Sequence, residues 1–522
     1  MSAAVIGAEA APAQPQPQPL RGASLALLTL GLSLGTFIEV LDSTVANVAV
    51  PTIAGTLGVS NSQGTWVISS YAVAAAIVVP LTGWLARRFG EARLFTTSVL
   101  LFTLTSMLCG MAPTFHALVA LRLAQGFVSG PMMSLSQTIL LRNYPERQRG
   151  LAVSLWGALV IIAPIFGPVV GGWIIDTYSW PWIFYINLPI GLFSFFTCSL
   201  LLRGRDTPTR REPIDLFGIV LLIVGVGALQ MMLDLGRDHG WFHSSFISTL
   251  AAIAFICLGF LLIWESGEKH PVLDLSVFRD RTFSASTLVI CIGVINFSTV
   301  AVIFPLWLQT VMGYTAEKAG LATSPVGILA IVVSVILGRN INRVNLRLVA
   351  SFGFLVFALV AFWNASFNLN LSFLQLVMPR LVQGIGVACF FIPLTTATLS
   401  NIPDDKLAAA SGLSNFLRTL SAAFGTALSV TLWDNRATYH HAELARSISL
   451  FSDKSTHYLD ALRAAGFSGG RDLAVVNQMV TQQAYMMATN DVFHLSGMLC
   501  LMLAALIWLA KPKPGAKGPL GH

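Results

Sequence analysis

The amino-acid sequence predicts an all-α integral membrane protein. Only 11% of its 522 residues are charged and 55% are hydrophobic, whereas a soluble globular domain carries roughly 25% charged residues. The hydrophobic residues are gathered in segments of about 20 residues or more, the length of helix that crosses a bilayer. Short clusters of Arg and Lys separate these segments, which is typical of the loops between membrane helices.

Fourteen such segments predict fourteen membrane helices. Arg87, Arg142 and Arg339 fall in loops that share the side of both chain termini. Because cytoplasmic loops carry the excess of Lys and Arg, we expect both termini to be cytoplasmic. The net charge of +7 is spread over short clusters and offers no continuous basic face for nucleic acid. The segments lie near 24–50, 64–84, 94–113, 115–137, 151–174, 182–202, 216–235, 246–265, 283–312, 319–338, 347–366, 371–399, 408–433 and 494–510.

The chain repeats itself at an offset of 258 residues: Arg122-Leu123-Ala124-Gln125-Gly126 recurs as Arg380-Leu381-Val382-Gln383-Gly384. Parallel repeats of this kind predict two pseudo-symmetric six-helix bundles around a central site, with segments seven and eight as an inserted pair. The predicted organisation is a disordered cytoplasmic tail (1–23), an N-terminal six-helix bundle (24–202), a linker with two extra membrane helices (203–270), helices nine to thirteen of the C-terminal bundle (271–434), a long outer loop (435–493), and the last helix with a cytoplasmic tail (494–522).

Charged side chains inside the segments are the first candidates for function, because an ionisable group in the bilayer costs several kcal/mol. Glu39 and Asp42 lie three residues apart on one face of the first helix. Arg122 on the fourth helix lies at the depth of Asp42, so we expect the two to pair. Such a pair is either a permanent link between helices or a carboxylate that changes protonation when a rearrangement separates it from the arginine.

Glu39 lies deeper than Asp42 and has two interpretations. It is a second proton carrier or the partner of a cationic substrate, or else it pairs with Arg380 or Arg418 across the cavity. The fifth segment contains Gly167, Pro168, Gly171 and Gly172. Its glycines predict close helix packing and its prolines predict a bend.

No residue pattern predicts an enzyme, so we expect no catalytic residues, no metal and no cofactor. Gly31-Leu32-Ser33-Leu34-Gly35 matches the hydrolase motif G-x-S-x-G, but that motif needs a strand-to-helix turn that a membrane span does not provide. A phosphate-binding loop for ATP is absent from the sequence. His440-His441 lacks companion ligands at metal spacing.

Several motifs resemble those of the fourteen-span drug:proton antiporters of the major facilitator superfamily. One run resembles the family's first-helix signature: Leu41-Asp42-Ser43-Thr44-Val45-Ala46-Asn47-Val48-Ala49-Val50-Pro51. A second run resembles the family's loop motif between helices two and three: Gly83-Trp84-Leu85-Ala86-Arg87-Arg88-Phe89-Gly90-Glu91. Here Arg87 stands where many members have Asp. The fourth-helix motif matches Arg122, Gln125 and Gly126, and the fifth-helix antiporter motif matches Gly167-Pro168 with Gly171-Gly172.

The later half is similar to the EmrB-type inner-membrane pumps, through Gly313-Tyr314-Thr315-Ala316 and Ala388-Cys389-Phe390-Phe391-Ile392-Pro393-Leu394-Thr395-Thr396. The resemblance covers about residues 25–512. It implies the major facilitator fold and the export of hydrophobic toxic compounds in exchange for protons. It also implies a Gram-negative inner-membrane location, a periplasmic adaptor of the EmrA type that meets the outer loop, and an outer-membrane channel of the TolC type.

The charged residues and the resemblance together predict three sets of site residues. A facilitator for a physiological metabolite or fatty acid is the alternative function. Proton coupling would involve Asp42, Glu39 and Arg122, with protons as the coupling ion. The conformational motif would comprise Gly83, Arg87, Arg88, Gly90, Gly167, Pro168, Gly171 and Gly172. The predicted wall of the cavity for hydrophobic substrates comprises Phe37, Asn47, Trp66, Gln125, Trp156, Phe297, Trp307, Phe390, Asn415, Phe416 and Arg418. For the aromatic members, ordinary packing or contact with membrane lipid is the alternative.

Overall fold

A computed structural model of the protein describes residues 20–510, apart from 146–147, 210–214, 269–270, 341–342, 404–405, 449–452, 466 and 468–469. Residues 1–19 of the predicted N-terminal tail and residues 511–522 of the predicted C-terminal tail lie outside the described residues. Within the described residues every regular element is a helix.

Fourteen long helices, named α1 to α14 here, follow one another along the chain as the sequence predicts. They are α1 Ala23–Thr56, α2 Trp66–Phe89, α3 Glu91–Gly110, α4 Phe115–Asn143, α5 Arg149–Thr177, α6 Trp182–Leu201, α7 Leu216–Leu235, α8 Ser245–Gly267, α9 Arg281–Thr310, α10 Lys318–Asn340, α11 Leu346–Asn364, α12 Phe373–Leu399, α13 Leu407–Ser447 and α14 Arg471–Leu506.

Twelve of the fourteen are long and apolar enough to cross a bilayer, and α5 makes thirteen when its two bent parts are taken as one span. It bends by 46° between Pro164 and Val169. The remaining helix, α13, is less apolar, and it packs along α9 and α14 inside the C-terminal half. Its polar residues therefore face protein within the described structure rather than lipid alone.

The internal repeat is visible in the positions at which helices begin. Helices α1 and α9 begin at residues 23 and 281, α4 and α12 at 115 and 373, and α5 and α13 at 149 and 407. Each pair is separated by the offset of 258 that relates the two arginine motifs. The inserted helices α7 and α8 pack against each other, and α7 also packs on α2 and α13, so the pair contacts both halves.

The side of the molecule at which Arg87 and Arg142 lie is called the basic side below, and the opposite side is called the far side. On the basic side α2 and α4 pack tightly against α13 of the other half. A Cβ on Gly83 would lie 2.7 Å from the Cα of Ala409. Asn415 donates a hydrogen bond of 3.0 Å to Ser134 on α4. The halves are therefore closed against each other on this side.

A polar contact outside the membrane holds the loop that precedes α13 in place. Lys406 Nζ lies 3.3 Å from the carboxylate of Asp274 and donates a hydrogen bond of 2.6 Å to Ser276 Oγ. Burial acts to raise the pKa of Asp274, but hydrogen bonds from Ser276 and Lys406 outweigh it and hold that pKa below its usual value. The loop before α9 is thereby tied to the loop before α13.

The predicted outer segment 435–493 is mostly helical. Helix α13 continues to Ser447, a short helix spans Asp453–Ala464, and α14 begins at Arg471. Arg436 and His440 of α13 lie 2.6 and 2.7 Å from the carboxylate of Asp491. Because most of its described residues are in helices, this segment forms a structured extension of the far side.

The glycines of α5 give a prediction about packing. A Cβ on Gly167 would lie 2.1 Å from Thr44 Oγ1 on α1, whereas a Cβ on Gly172 would meet no atom within 4 Å. Gly167→Val is expected to lower stability by about 1–3 kcal/mol, because α1 and α5 must separate to admit the side chain. The measurement is the thermal midpoint of the purified protein in detergent. Gly172→Val is the matched control and should melt close to the wild type; equal losses in both variants would contradict the packing.

Candidate functional site

A buried ion pair joins α1 to α4, as the depths of its residues predict. Arg122 Nη1 lies 2.5 Å from Asp42 Oδ2, and the two residues are 0% and 2% exposed. The same nitrogen donates to Gln125 Oε1 at 2.8 Å, and Arg122 Nε donates to the carbonyl oxygen of Val67 at 3.0 Å. Since hydrogen bonds to charged groups contribute about 1.5–3 kcal/mol each, the arginine is held by several directed contacts.

Aromatic rings close the faces of the guanidinium. The Cζ atom of Arg122 lies 4.3 Å from the ring centroid of Tyr71 on α2 and 5.6 Å from that of Phe184 on α6. A cation over a ring face is attracted by the ring quadrupole, and the attraction increases when water is excluded. Arg122 therefore contacts α1, α2 and α6 from its position on α4.

Asn187 on α6 is a site residue to which sequence reasoning assigned no role. Its Nδ2 donates to Asp42 Oδ1 at 2.8 Å and to Ser106 Oγ at 2.9 Å, and Gln125 Nε2 donates to the same Asp42 oxygen at 3.3 Å. Asp42 thus accepts hydrogen bonds from three side chains, which matches the acceptor capacity of a carboxylate. The available signal was a lone amide within an apolar span.

Glu39 has no cation paired with it among the residues that the structure describes. No ion pair joins it to Arg380 or Arg418 among the described residues, so the predicted pairing across the cavity is wrong. Its contact is instead with the backbone of Met133 on α4, while its Oε2 is buried without a hydrogen-bond partner in the described structure. The reason is geometric, because both arginines bind neighbours within their own half: Arg380 donates to Gln383 and Arg418 donates to Asn415.

Arg418 and Asn415 form a polar contact on α13. Arg418 Nη1 donates to Asn415 Oδ1 at 3.2 Å, and its Cζ lies 5.4 Å from the ring centroid of Phe391. Asn415 in turn donates to Ser134. Phe416 is 6% exposed and packs in the hydrophobic cluster between the halves on the basic side. This part of the predicted cavity wall therefore belongs to the contact between halves in the described conformation.

Among the described residues, the predicted wall residues of the N-terminal half lie in different environments. Trp66 is 45% exposed beside Phe115, and Asn47 is also exposed. Trp156 is buried and donates through Nε1 to Ser136 Oγ at 3.0 Å. Phe37 is half-buried and packs against the hydrophobic clusters of the N-terminal half. Their contact with substrate stays a prediction.

In the C-terminal half the predicted aromatic residues form two groups. Phe297 and Phe390 both pack against Phe391, with ring centroids 5.7 and 4.5 Å from it. Trp307 is fully buried and its ring is stacked 6.2 Å from that of Phe367. Of the three predicted residues, Phe297 alone lines the cavity found in this half of the described structure.

The loop before α3 is held by a carboxylate from the segment that follows α6. Gly90 has a φ of +89°, and a Cβ there would lie 2.4 Å from the carboxylate of Asp206. Asp206 accepts a hydrogen bond of 3.0 Å from the backbone of Ala92 at the start of α3. A carboxylate from the segment after α6 therefore satisfies the first turn of α3, where negative charge also favours the helix dipole.

The remaining members of the conformational motif lie around this loop and on α5. Arg87 and Arg88 form the last turn of the helix that ends at Phe89, and Arg88 lies 5.8 Å from the ring centroid of Trp84. A Cβ on Gly171 would lie 2.9 Å from Val45, one residue from the Gly167 contact at Thr44. The side chain of Pro168 lies outside the described residues. The two glycines press α5 against the turn of α1 that follows Asp42.

Comparisons with known proteins agree with this fold. The sequence model of the Major Facilitator Superfamily matches residues 32–426. Multidrug export protein EmrB of Haemophilus influenzae is 46% identical over 500 residues, which cover 96% of this chain and 98% of the relative. Multidrug export protein EmrB of Escherichia coli K12 is 44% identical, covering 96% and 98%. Fatty acid resistance protein FarB of Neisseria gonorrhoeae is also 44% identical, covering 97% and 99%.

Solved structures are similar in fold at low sequence identity. The proton:xylose symporter XylE has a TM-score of 0.59 at 16% identity and covers 93% of this chain and 95% of its own. A human organic anion transporter, MFSD10, has a TM-score of 0.57 at 14% identity and covers 93% and 100%. These likenesses confirm the predicted all-helical fold.

The contacts of Asn187 give a prediction about stability. Asn187→Leu keeps the branching and the number of heavy atoms of the side chain but leaves Asp42 Oδ1 with the 3.3 Å contact from Gln125. We expect a loss of about 1–3 kcal/mol, the cost of a buried polar group without its partner. The thermal midpoint of the purified protein measures it. Asn47→Leu, at an exposed position of the same helix as Asp42, is the control, and an Asn187 variant as stable as that control would show that the bond contributes nothing.

Proposed function

The chain belongs to the major facilitator superfamily, and we propose that it is a proton-coupled antiporter that exports hydrophobic toxic compounds. Names of relatives that are 44–46% identical over nearly their full length support multidrug export. We place it in the inner membrane of a Gram-negative cell with both termini in the cytoplasm, because the arginine-rich loops share the side of the termini.

The observation that supports the proposal of proton coupling is the fully buried pair of Asp42 and Arg122. A charge held inside a membrane protein is costly unless it is paired. Protonating Asp42 removes half of that pair. Arg122 then keeps the carbonyl oxygen of Val67, the amide of Gln125 and the ring of Tyr71 as neighbours. Proton binding therefore changes the contacts between α1 and α4 without leaving the arginine unsupported.

A packed route leads from Asp42 to the contact between the two halves. Thr44 and Val45, the next turn of α1, press against Gly167 and Gly171 of α5. Further along α5, the side chain of Ser154 fills the space beside Gly338 on α10 of the other half. A shift of α1 on protonation is thus passed to α5 and to the contact with the C-terminal half, since close-packed interiors transmit displacement.

In the cycle we propose, the drug enters from the cytoplasm or inner leaflet while Asp42 is ionised. After the cavity opens to the far side, a proton reaches Asp42, weakens its tie to Arg122 and favours release of the drug. Return of the protonated carrier moves the proton inward. The membrane potential contributes about 2.3 kcal/mol for each net charge moved through 100 mV.

We further propose that the pump works with a periplasmic adaptor of the EmrA type and an outer-membrane channel of the TolC type. The support is the structured extension on the far side, formed by the ends of α13 and α14 and the helix Asp453–Ala464. Tyr439 on this extension is 56% exposed and is available for contact, whereas Leu459 is 4% exposed and is not. Exposed aromatic side chains are enriched where proteins meet.

Export of fatty acids is a second candidate, favoured by the relative named fatty acid resistance protein. Displacement of a bound hydrophobic drug by a medium-chain fatty acid would support it. Lack of any competition would leave hydrophobic drugs as the substrate class.

The test of proton coupling is drug-driven proton flux in proteoliposomes, with a hydrophobic drug that carries no proton itself. Asp42→Asn is expected to reduce the flux to that of protein-free liposomes while drug binding is retained, since the side chain can no longer exchange a proton. Glu39→Gln, three residues away on the same helix face, is the matched control and should keep the flux. If Asp42→Asn still exchanges protons for drug, the proposal for Asp42 is wrong and Glu39 becomes the carrier.

The adaptor contact gives a separate prediction. Tyr439→Asp should lower the amount of adaptor that copurifies with the protein, because it places a charge on the exposed face. Drug-driven proton flux in liposomes without adaptor should stay unchanged. Equal copurification of variant and wild type would place the adaptor elsewhere.

A further inference from the structure

The far-side end of α7 and the turn that follows it contact both halves of the protein. Arg237, in that turn, lies with its Nε 3.0 Å from Asp434 Oδ2 on α13. Trp241 Nε1 donates a hydrogen bond of 3.0 Å to Thr431 Oγ1, also on α13. The last turns of α7 pack in one hydrophobic cluster with Ala423, Phe424 and Ala427 of the same helix. The inserted pair is therefore attached to the C-terminal half by an ion pair, a hydrogen bond and apolar packing.

On its other side, the end of α7 meets α2 through Asp234. The carboxyl group of Asp234 is in hydrogen-bonding contact with the hydroxyl of Ser69 on α2. Its Oδ1 accepts a hydrogen bond of 3.2 Å from Gln230 Nε2, one turn earlier on α7. The other oxygen, Oδ2, is buried without a hydrogen-bond partner in the described structure. Asp234 thus lies at the junction between the inserted pair and the N-terminal half.

Gln230 offers an unused acceptor beside this carboxyl group. It is 5% exposed, and its Oε1 has no hydrogen-bond partner among the described residues. A carboxylate can only accept hydrogen bonds, whereas a protonated carboxyl group is also a donor. After a half-turn of the amide, a protonated Asp234 can donate to Gln230 Oε1. The two side chains therefore have a hydrogen bond available in either protonation state of Asp234.

No cation pairs with Asp234 among the described residues. The nearby arginines have partners of their own, since Arg237 pairs with Asp434 and Arg436 pairs with Asp491. The charged and titratable side chains on the elements around it are Tyr71 of α2, Asp434 and Arg436 of α13, and Arg237, Asp238, His239 and His243 after α7. None of them contacts its carboxyl group in the described structure. A carboxylate with only neutral partners is costly to bury, and binding a proton removes that cost.

We propose that Asp234 is a second proton-binding residue of the transporter, one that controls the contact between α7 and α2. Asp234 is the next-to-last residue of α7, at the far side, so a proton reaches it from that side. Its role in transport rests on the antiport proposed above, whereas the proton binding itself does not.

The two protonation states differ in what they bind. An ionised Asp234 binds Ser69 of α2. A protonated Asp234 donates to Gln230 within α7, and its attraction for Ser69 weakens because hydrogen bonds to charged groups are stronger than those to neutral ones. Since both halves hold α7, a movement of the halves against each other must change its contacts. A proton from the far side thus loosens α2 from α7, while Arg237 keeps α7 attached to α13.

Infrared difference spectroscopy of the full-length protein without drug, recorded as the pH is lowered, tests the proton binding. One component of the protonated-carboxyl absorption should appear in the wild type and in Asp42→Asn and be missing in Asp234→Asn. Asp238→Asn removes an exposed carboxyl group from the turn after α7; it is the matched control and should keep the component. A spectrum that Asp234→Asn leaves unchanged, or a component that stays constant at every pH, would overturn the proposal.

A second variant serves should Asp234→Asn fail to fold. Gln230→Met keeps the length of the side chain but removes the amide that a protonated Asp234 binds. It should shift the frequency of the same component, because hydrogen bonding sets the stretching frequency of a carboxyl group. Met231→Leu, at the exposed neighbouring position, should not shift it. Equal spectra of Gln230→Met and the wild type would reject the assignment.

Transport measurements show whether this proton controls the contact. In proteoliposomes, the drug-driven proton flux of Asp234→Asn should depend less steeply on the pH of the far side, because one proton-binding step has been removed. Asp238→Asn should match the wild type. Wild-type flux with the same steepness in Asp234→Asn would refute control by this residue. Absence of flux in the wild type would refute the proposed antiport instead, and the infrared result then decides on Asp234.

Discussion

The rest of the N-terminal half is arranged around one buried ion pair. Arg122 cannot leave its position on α4 without losing Asp42, the carbonyl oxygen of Val67 and the ring of Tyr71. Asn187 connects the same carboxylate to α6 and, through Ser106, to α3. Five of the six helices of this half therefore meet at one pair of charges. Only a group that can lose its charge, the carboxylate, offers a way to loosen the pair within the membrane.

The two halves share a backbone plan but differ in their charges. Helices of the repeat begin at matching positions, and both arginines keep their glutamine and aromatic neighbours. The carboxylate is confined to the N-terminal half, where α1 also packs against the bent helix α5. The N-terminal half thus carries a carboxylate that can respond to a proton, whereas the C-terminal half has Val300 at the equivalent position.

Much of this arrangement was predictable from sequence because it depends on depth along a helix. Apolar length fixes the spans, the offset of 258 fixes the repeat, and a rise of about 1.5 Å per residue places Asp42 and Arg122 at one level. Direction around a helix and the tilt of neighbouring helices are set by packing, which sequence alone does not give. For that reason the predicted pairing of Glu39 was wrong. The predicted grouping of aromatic residues such as Trp307 into one cavity stays a prediction. Asn187 was missed because an amide has no charge to mark it as costly in a span.

Difference infrared spectroscopy of the carboxyl groups tests the central claim, that Asp42 changes protonation during the cycle, most directly. Spectra of the purified protein with and without a bound hydrophobic drug are compared for the wild type, Asp42→Asn and Glu39→Gln. The account predicts a protonated-carboxyl band that changes when drug binds, that persists in Glu39→Gln and that is lost in Asp42→Asn. A band that survives in Asp42→Asn would contradict it and make the pair with Arg122 a permanent link between α1 and α4.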